Sequence, residues 1–342
     1  MATDSTRQSL YFTDAESVTV EERPIPACAA EEVRVETHVS AISPGTELLV
    51  FHGEAPAELL ADDPIDAVGG ETEFPMQYGY AAVGEVNAVG EHVPDWWRGE
   101  RVFAFHPHES HFVAEPSTLL RVPETCQTDQ AALVPNVETA VNFLMDGRPM
   151  IGERVVVFGQ GIVGLLTTAL LAECPVETVV TVECLEHRRA LSRQFGADAV
   201  IDPESADVAG AVRERLDGNG ADLAIEVSGD PAALDDAIAA TGENGRVVVG
   251  SCYGTKRAEL DLGGYFHRSR IDVKASQVST IDPVHRGRWS KDRRLDEAWR
   301  WLDSLDASPL ITDRVPVEAA PTAYERLDDA PNSTLQVLLT YP

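Results

Sequence analysis

The hydrophobic rhythm of the chain changes once, near residue 132. Before that point "SVTVEERPIP" (17–26) and "EEVRVETHVSAIS" (31–43) alternate apolar and polar residues, the period of half-buried strands. "YGYAAVGEVNAVGEHV" (78–93) continues this pattern, with glycines where strands bend or turn. "ERVFAFHPHESHFVAEP" (100–116) predicts two short strands joined at "HPHES". "ALVPNVETAVNFLMDG" (132–147) predicts a helix, and beyond it the pattern is different.

"RVVVFGQGIVGLLTTALLAE" (154–173) is an apolar strand, a glycine-rich turn and a helix. "VETVVTVECLEHRRALSRQFGADAVID" (176–202) predicts strand, helix, strand. "ADLAIEVSG", a helix through "PAALDDAIAAT" and "GRVVVGSCYG" prolong the series, and "RRLDEAWRWLDSL" and "TLQVLLTYP" add a last helix and strand. Buried apolar strands alternating with helices describe a doubly wound parallel sheet. The expected fold class is therefore α/β, a β-rich domain followed by a doubly wound one.

Composition narrows the class. A chain of 342 residues that is 44% hydrophobic has material for about two cores and is globular. No apolar run reaches the roughly 20 residues of a membrane span, and "MATDSTRQSL" lacks the basic-then-apolar order of a signal peptide. A cytoplasmic protein is expected. The scattered Cys28, Cys126, Cys174, Cys184 and Cys252 contain no CxxC pair, against a disulfide framework or zinc ribbon. The net charge is −30, spread along the chain, with lysine confined to Lys256, Lys274 and Lys291. Such a coat disfavours nucleic acid and membrane surfaces, which need a basic face. It is read as adaptation to a salty interior, of the halophilic type.

The clearest chemistry lies in "VFGQGIVG", where Gly159, Gly161 and Gly164 stand in GxGxxG spacing. The motif is weak alone; here it follows a strand and opens a helix, as dinucleotide binding requires. The turn permits close approach of a pyrophosphate to the helix N-terminus. Gly159, Gln160, Gly161, Ile162, Val163, Gly164 and Ser228 are the candidate contacts. Glu183 ends the next strand and is placed to accept bonds from the adenosine ribose. Its charge would repel a 2′-phosphate, so NAD is the expected cofactor; Arg188 and Arg189 keep NADP open.

Taken together, "SPGTELLVFHG", "YGYAAVGEVNAVG", "GERV", "VFGQGIVG" and "GADLAIEVSG" resemble, nearly end to end, the medium-chain dehydrogenase/reductase superfamily of zinc alcohol dehydrogenases. "ISPGTE", "FHPHESH" and "FHRSRIDVKASQ" resemble its bacteriochlorophyllide-dehydrogenase-like subgroup. The resemblance implies a GroES-like catalytic domain (1–134), a Rossmann NAD(P)-binding domain (135–275) and a C-terminal return to the catalytic domain (276–342). It implies an NAD(P)-dependent oxidoreductase of an alcohol/carbonyl pair, as a homodimer or homotetramer. Zinc-free members suggest a quinone or enone reductase as the alternative. A nucleotide-binding sensor or structural protein without turnover is the third reading.

The zinc itself is not expected. The family's first ligand falls on Pro44, the second on Tyr80 with Ala81 beside it, and the third near Pro135. Zinc needs thiolate, imidazole or carboxylate at such positions. The four-cysteine lobe is replaced by "HPHES". His106, His108 and His111 offer another ligand spacing, though Pro107 interrupts it. The alternatives are that these are surface histidines, or that His106 lines the substrate pocket and exchanges the reaction's proton. Thr46 matches the family's hydroxyl relay. Tyr80 and Glu47 complete the candidate catalytic set, and Glu47 has an equal reading as a structural acid. The substrate is expected to be a small molecule. The basic run "HRGRWSKDRR" (285–294), with Arg268 and Arg270, would suit an anionic group on it, or salt bridges to neighbouring acids or a second subunit.

Overall fold

A computed structural model describes residues 6–56, 73–205 and 207–342; the first five residues of the N-terminal stretch read above lie outside this range. The chain divides into two compact units, 1–135 with 301–342, and 136–300.

In the first unit β1 (Thr6–Asp14) and β2 (Ser17–Pro24) form an antiparallel hairpin. Among the described residues the larger sheet has seven strands: β3 (Val33–Ala41), β4 (Ala82–Val89), β5 (Arg101–Ala104), β6 (His111–Ala114), β7 (Leu120–Arg121), β14 (Ile311–Pro316) and β15 (Gln336–Thr340). Its main order is β14-β15-β3-β4-β5-β7, with β6 paired to β3. Alternation along β3 puts Val33, Val35, Thr37 and Val39 into the interior. The C-terminal β15 is buried at successive positions, Gln336 to Leu339, and pairs with β3 through Leu338↔Ala41. The helix Pro44–Phe51 leaves β3 at once; Ser43 is its N-cap and Pro44 its first residue. That helix and the helix Ala320–Asp329 share a core with the hairpin, built from Leu10, Phe12, Val50, Phe51, Tyr324 and Leu327.

In the second unit β8 (Arg154–Phe158), β9 (Thr178–Val182), β10 (Ala199–Ile201), β11 (Ala221–Glu226), β12 (Thr241–Val249) and β13 (Asp272–Ala275) form a parallel sheet ordered β10-β9-β8-β11-β12-β13. This is the 3-2-1-4-5-6 order of a Rossmann fold. Helices Ile162–Ala172, Glu186–Gln194, Val208–Arg215 and Pro231–Ala240 connect successive strands. β8 is apolar from Val155 to Phe158 and β11 from Leu223 to Ile225, where both faces are covered. The fold is thus α/β as expected.

Candidate active site

The glycine turn follows β8. Gly159 has φ +88°, and a side-chain carbon there would lie 2.5 Å from Ser228 Cα. A carbon on Gly164 would lie 2.0 Å from the Gly159 carbonyl oxygen, so the helix Ile162–Ala172 packs directly on the turn. At Gly161 the same carbon would meet nothing nearer than an Arg188 guanidinium nitrogen at 3.9 Å. This backbone is open to a ligand, beside a cation, at a helix N-terminus, which fits a pyrophosphate.

Glu183 organises the turn. Its Oε2 accepts from the Gln160 amide at 2.7 Å and its Oε1 from the Leu185 amide at 2.9 Å. Oε1 also accepts from the Cys184 thiol at 3.4 Å, so Oε2 is the oxygen with a second lone pair for a sugar hydroxyl. The Gln160 side chain turns inward, accepting from Thr168 Oγ1 at 3.0 Å and donating to Gly159 O at 2.9 Å. Arg189 is engaged with Asp202 and the Glu183 carbonyl. Ser228 donates its amide and hydroxyl to buried Glu226, which also accepts from Tyr253. Burial and the Glu226 carboxylate hold the Tyr253 phenol well above its ordinary range.

In the other unit lie the positions that the resemblance aligns with the family's metal ligands. Pro44 and Pro135 carry no side-chain ligand atom, and Tyr80 carries a phenol. Among the described residues no group of three or more His, Cys, Asp or Glu side chains could hold a metal ion. A hydroxyl cluster stands in this region instead. Tyr80 Oη donates to Ser43 Oγ at 2.5 Å, with a longer contact of 3.4 Å to Thr46 Oγ1. All three residues are half-buried. Sequence reasoning missed Ser43. Its signal was serine followed by proline, the N-cap and first residue of a helix. An N-cap serine ordinarily spends its hydroxyl on the helix amides. Here that hydroxyl makes no cap bond and serves Tyr80.

Glu47 does not line the cluster's open side. Its carboxylate is fully buried, which removes it from direct contact with any substrate. It accepts from the Ser43 amide, Tyr324 Oη and His108 Nε2.

The three histidines of "FHPHESH" have separate surroundings. His108 is fully buried on Glu47 and Ser40. His111 Nδ1 lies 3.1 Å from Ser110 Oγ, and burial lowers its pKa. His106 stacks on Phe112, centroids 4.0 Å apart, and its Nδ1–H donates to Pro107 O. Burial lowers His106 to about 4 against the opposing pull of that carbonyl. Above that pH the ring is neutral and holds no acidic proton to deliver as an imidazolium.

One arginine of the basic run is taken into the fold. Arg294 is fully buried against Glu138, Asn142 and the Thr280 carbonyl. Arg286 donates to Ile281 O, and Arg293 bonds Arg288 O and covers the Trp289 ring. These contacts remove Arg294 from any anion pocket, while Arg286, Arg288 and Arg293 stay exposed.

Residues 163–295 match the profile of the family "Zinc-binding dehydrogenase". D-guloside 3-dehydrogenase of Escherichia coli K12 is 24% identical over 330 residues, covering 92% of this chain and 94% of that one. A structure described as a short chain alcohol dehydrogenase of Escherichia coli CFT073, complexed with NADH, superposes with TM-score 0.81 at 20% identity, covering 98% and 99%. A zinc-binding dehydrogenase of Sinorhizobium meliloti 1021 bound to NADP superposes at TM-score 0.79, 19% identity, over 98% and 99%. Over nearly its whole length the chain is similar in sequence to a named dehydrogenase, and it shares the fold of the solved ones.

Proposed function

We propose that the protein is an NAD(P)-dependent dehydrogenase that interconverts a secondary alcohol and its carbonyl compound without a catalytic metal. The observation that carries this reading is the Tyr80–Ser43–Thr46 hydroxyl cluster in the segments that bear the family's metal positions. The open backbone at Gly161, with the Ile162–Ala172 helix N-terminus and Arg188, would hold the pyrophosphate. Glu183 would accept from the ribose hydroxyls, and its charge favours NAD over NADP. Bound, the dinucleotide supplies or accepts the hydride.

The chain's own task is the proton and the charge on the substrate oxygen. Tyr80 Oη would donate to that oxygen as negative charge develops there. Ser43 and Thr46 would pass the proton onward by exchanging hydrogen bonds with Tyr80. His106, with Nδ1–H committed to Pro107, offers Nε2 only as a neutral acceptor. A relative named for dehydrogenation of a D-guloside supports a polyhydroxylated substrate.

The test is a panel of sugars, polyols, diols, ketones, quinones and enones, assayed with NAD and NADP at high salt. Alcohol/carbonyl interconversion by chelator-treated protein carrying well under one zinc per chain is expected. Tyr80→Phe should then lower kcat by roughly 100-fold. Activity that disappears with a stoichiometric zinc, or saturation of C=C bonds alone, would overturn the reading.

A further inference from the structure

We propose that a sealed hydrogen-bonded brace centred on His108 and Glu47 sets the geometry of the Tyr80–Ser43 hydroxyl pair. This makes both residues positioning residues for the proton chemistry proposed above, on which the inference rests.

The hydroxyl pair joins segments far apart in sequence. Ser43 belongs to the turn into the helix Pro44–Phe51, and Tyr80 to the approach to β4. Each segment is fixed from behind, and His108 reaches both fixings.

On the Ser43 side the fixing is Glu47. Oε1 accepts the Ser43 amide at 2.7 Å, pinning the N-cap residue. Oε2 accepts Tyr324 Oη at 2.5 Å and His108 Nε2–H at 2.9 Å. Three donors converge on one carboxylate, and Glu47 and His108 are both 0% exposed. A buried charge is held without orphaned groups only by such convergence. The other imidazole nitrogen lies 2.7 Å from Ser40 Oγ, which lies 2.8 Å from Tyr341 Oη.

On the Tyr80 side the fixing is Gly79. It has φ +109°, a region that favours glycine, and a side-chain carbon there would lie 2.6 Å from His108 Cδ2 and Nε2. The imidazole therefore rests on the backbone of the residue immediately before Tyr80. One ring supports the segment that carries Tyr80 and holds the carboxylate that pins Ser43.

Ser40, His108 and Glu47 have the order of a nucleophilic triad, but all three are fully buried. The arrangement cannot meet a substrate; its available action is to hold its neighbours. Positions 44 and 80, which the resemblance assigns to metal ligands, lie in the same two segments. With proline and tyrosine there, the tie between the segments is made by hydrogen bonds.

The experiment uses the full chain labelled with [ζ-13C]tyrosine. Tyr80→Phe assigns the Tyr80 resonance. Its chemical shift and hydroxyl titration are compared in wild type, His108→Ala, His108→Gln and Tyr324→Phe, with NADH binding followed by fluorescence. In His108→Ala the Tyr80 signal should move and its titration shift by about half a pH unit or more. His108→Gln, which keeps a donor for Glu47, should restore most of both, and NADH affinity should stay within about twofold across the set. A folded His108→Ala with wild-type Tyr80 shift and titration overturns the brace. If that variant does not fold, Tyr324→Phe decides: it removes one donor from Glu47 while leaving His108, and an unchanged Tyr80 signal there also overturns the proposal. The readout needs no substrate. A displaced Tyr80 titration in a protein that transfers no hydride upholds the brace and overturns the dehydrogenase reading instead.

Discussion

His106 and His108 are separated by a single proline, and the fold treats them differently. His108 is turned inward between Ser40 and Glu47, while His106 stacks half-buried on Phe112. The sequence "HPH" carries no signal for this choice, because Pro107 removes the strand alternation that would assign the faces. The consequence for His106 is a pKa lowered from 6.5 to about 4, chiefly by burial. The unfolded chain then binds this proton more readily than the folded one. The stability contribution is fully present above about pH 6.5 and is lost as pH falls toward 4. His106→Phe keeps an aromatic partner for Phe112 and removes the titration. Thermal melts between pH 4 and 7 should show a shallower acid decline for that variant; an identical slope would refute the assignment.

At the scale of elements, legibility followed burial. β8 and β11 are readable because strand segments covered on both faces, 155–158 and 223–225, are apolar throughout. The glycine turn was readable because steric demand fixes its residue types. The helices Pro44–Phe51, Val208–Arg215 and Ala320–Asp329, and the strand Ile311–Pro316, were not foreseen. Pro44–Phe51 buries Glu47 with Leu49, Val50 and Phe51, so its inward face mixes an acid with apolar residues and blurs the 3.6-residue stripe. Element packing also makes a prediction. Gly164→Ala drives a carbon to 2.0 Å from a backbone oxygen, which has no rotamer with which to yield. The helix must lift off the turn. Stability should fall by about 1–3 kcal/mol, and NADH affinity by about tenfold or more. Calorimetry and fluorescence titration check this; unchanged affinity in a folded variant would remove the turn from cofactor binding.

For the whole molecule the dominant quantity is the formal charge of −30. Self-repulsion on this scale opposes compaction, and screening shortens from about 10 Å at 0.1 M salt to about 3 Å at 1 M. The melting temperature should therefore rise steadily from 0.1 M to 2 M potassium chloride, most steeply at the low end. A flat or falling curve would show that the acidic coat is neutral in its effect on stability.

The sequence by itself determined the α/β class, the strand–turn–helix around Gly159, Gly161 and Gly164, and the absence of side-chain ligand atoms at Pro44 and Pro135. These follow from local sterics, local periodicity and the chemistry of single side chains. Only the tertiary structure decided that Tyr80 meets Ser43, that Glu47 is sealed beneath Ser43, and that His108 is fully buried while His106 is half-buried. Those facts depend on contacts between segments far apart in the chain. Periodicity can say that a residue faces inward, but which distant group it meets there is set by packing.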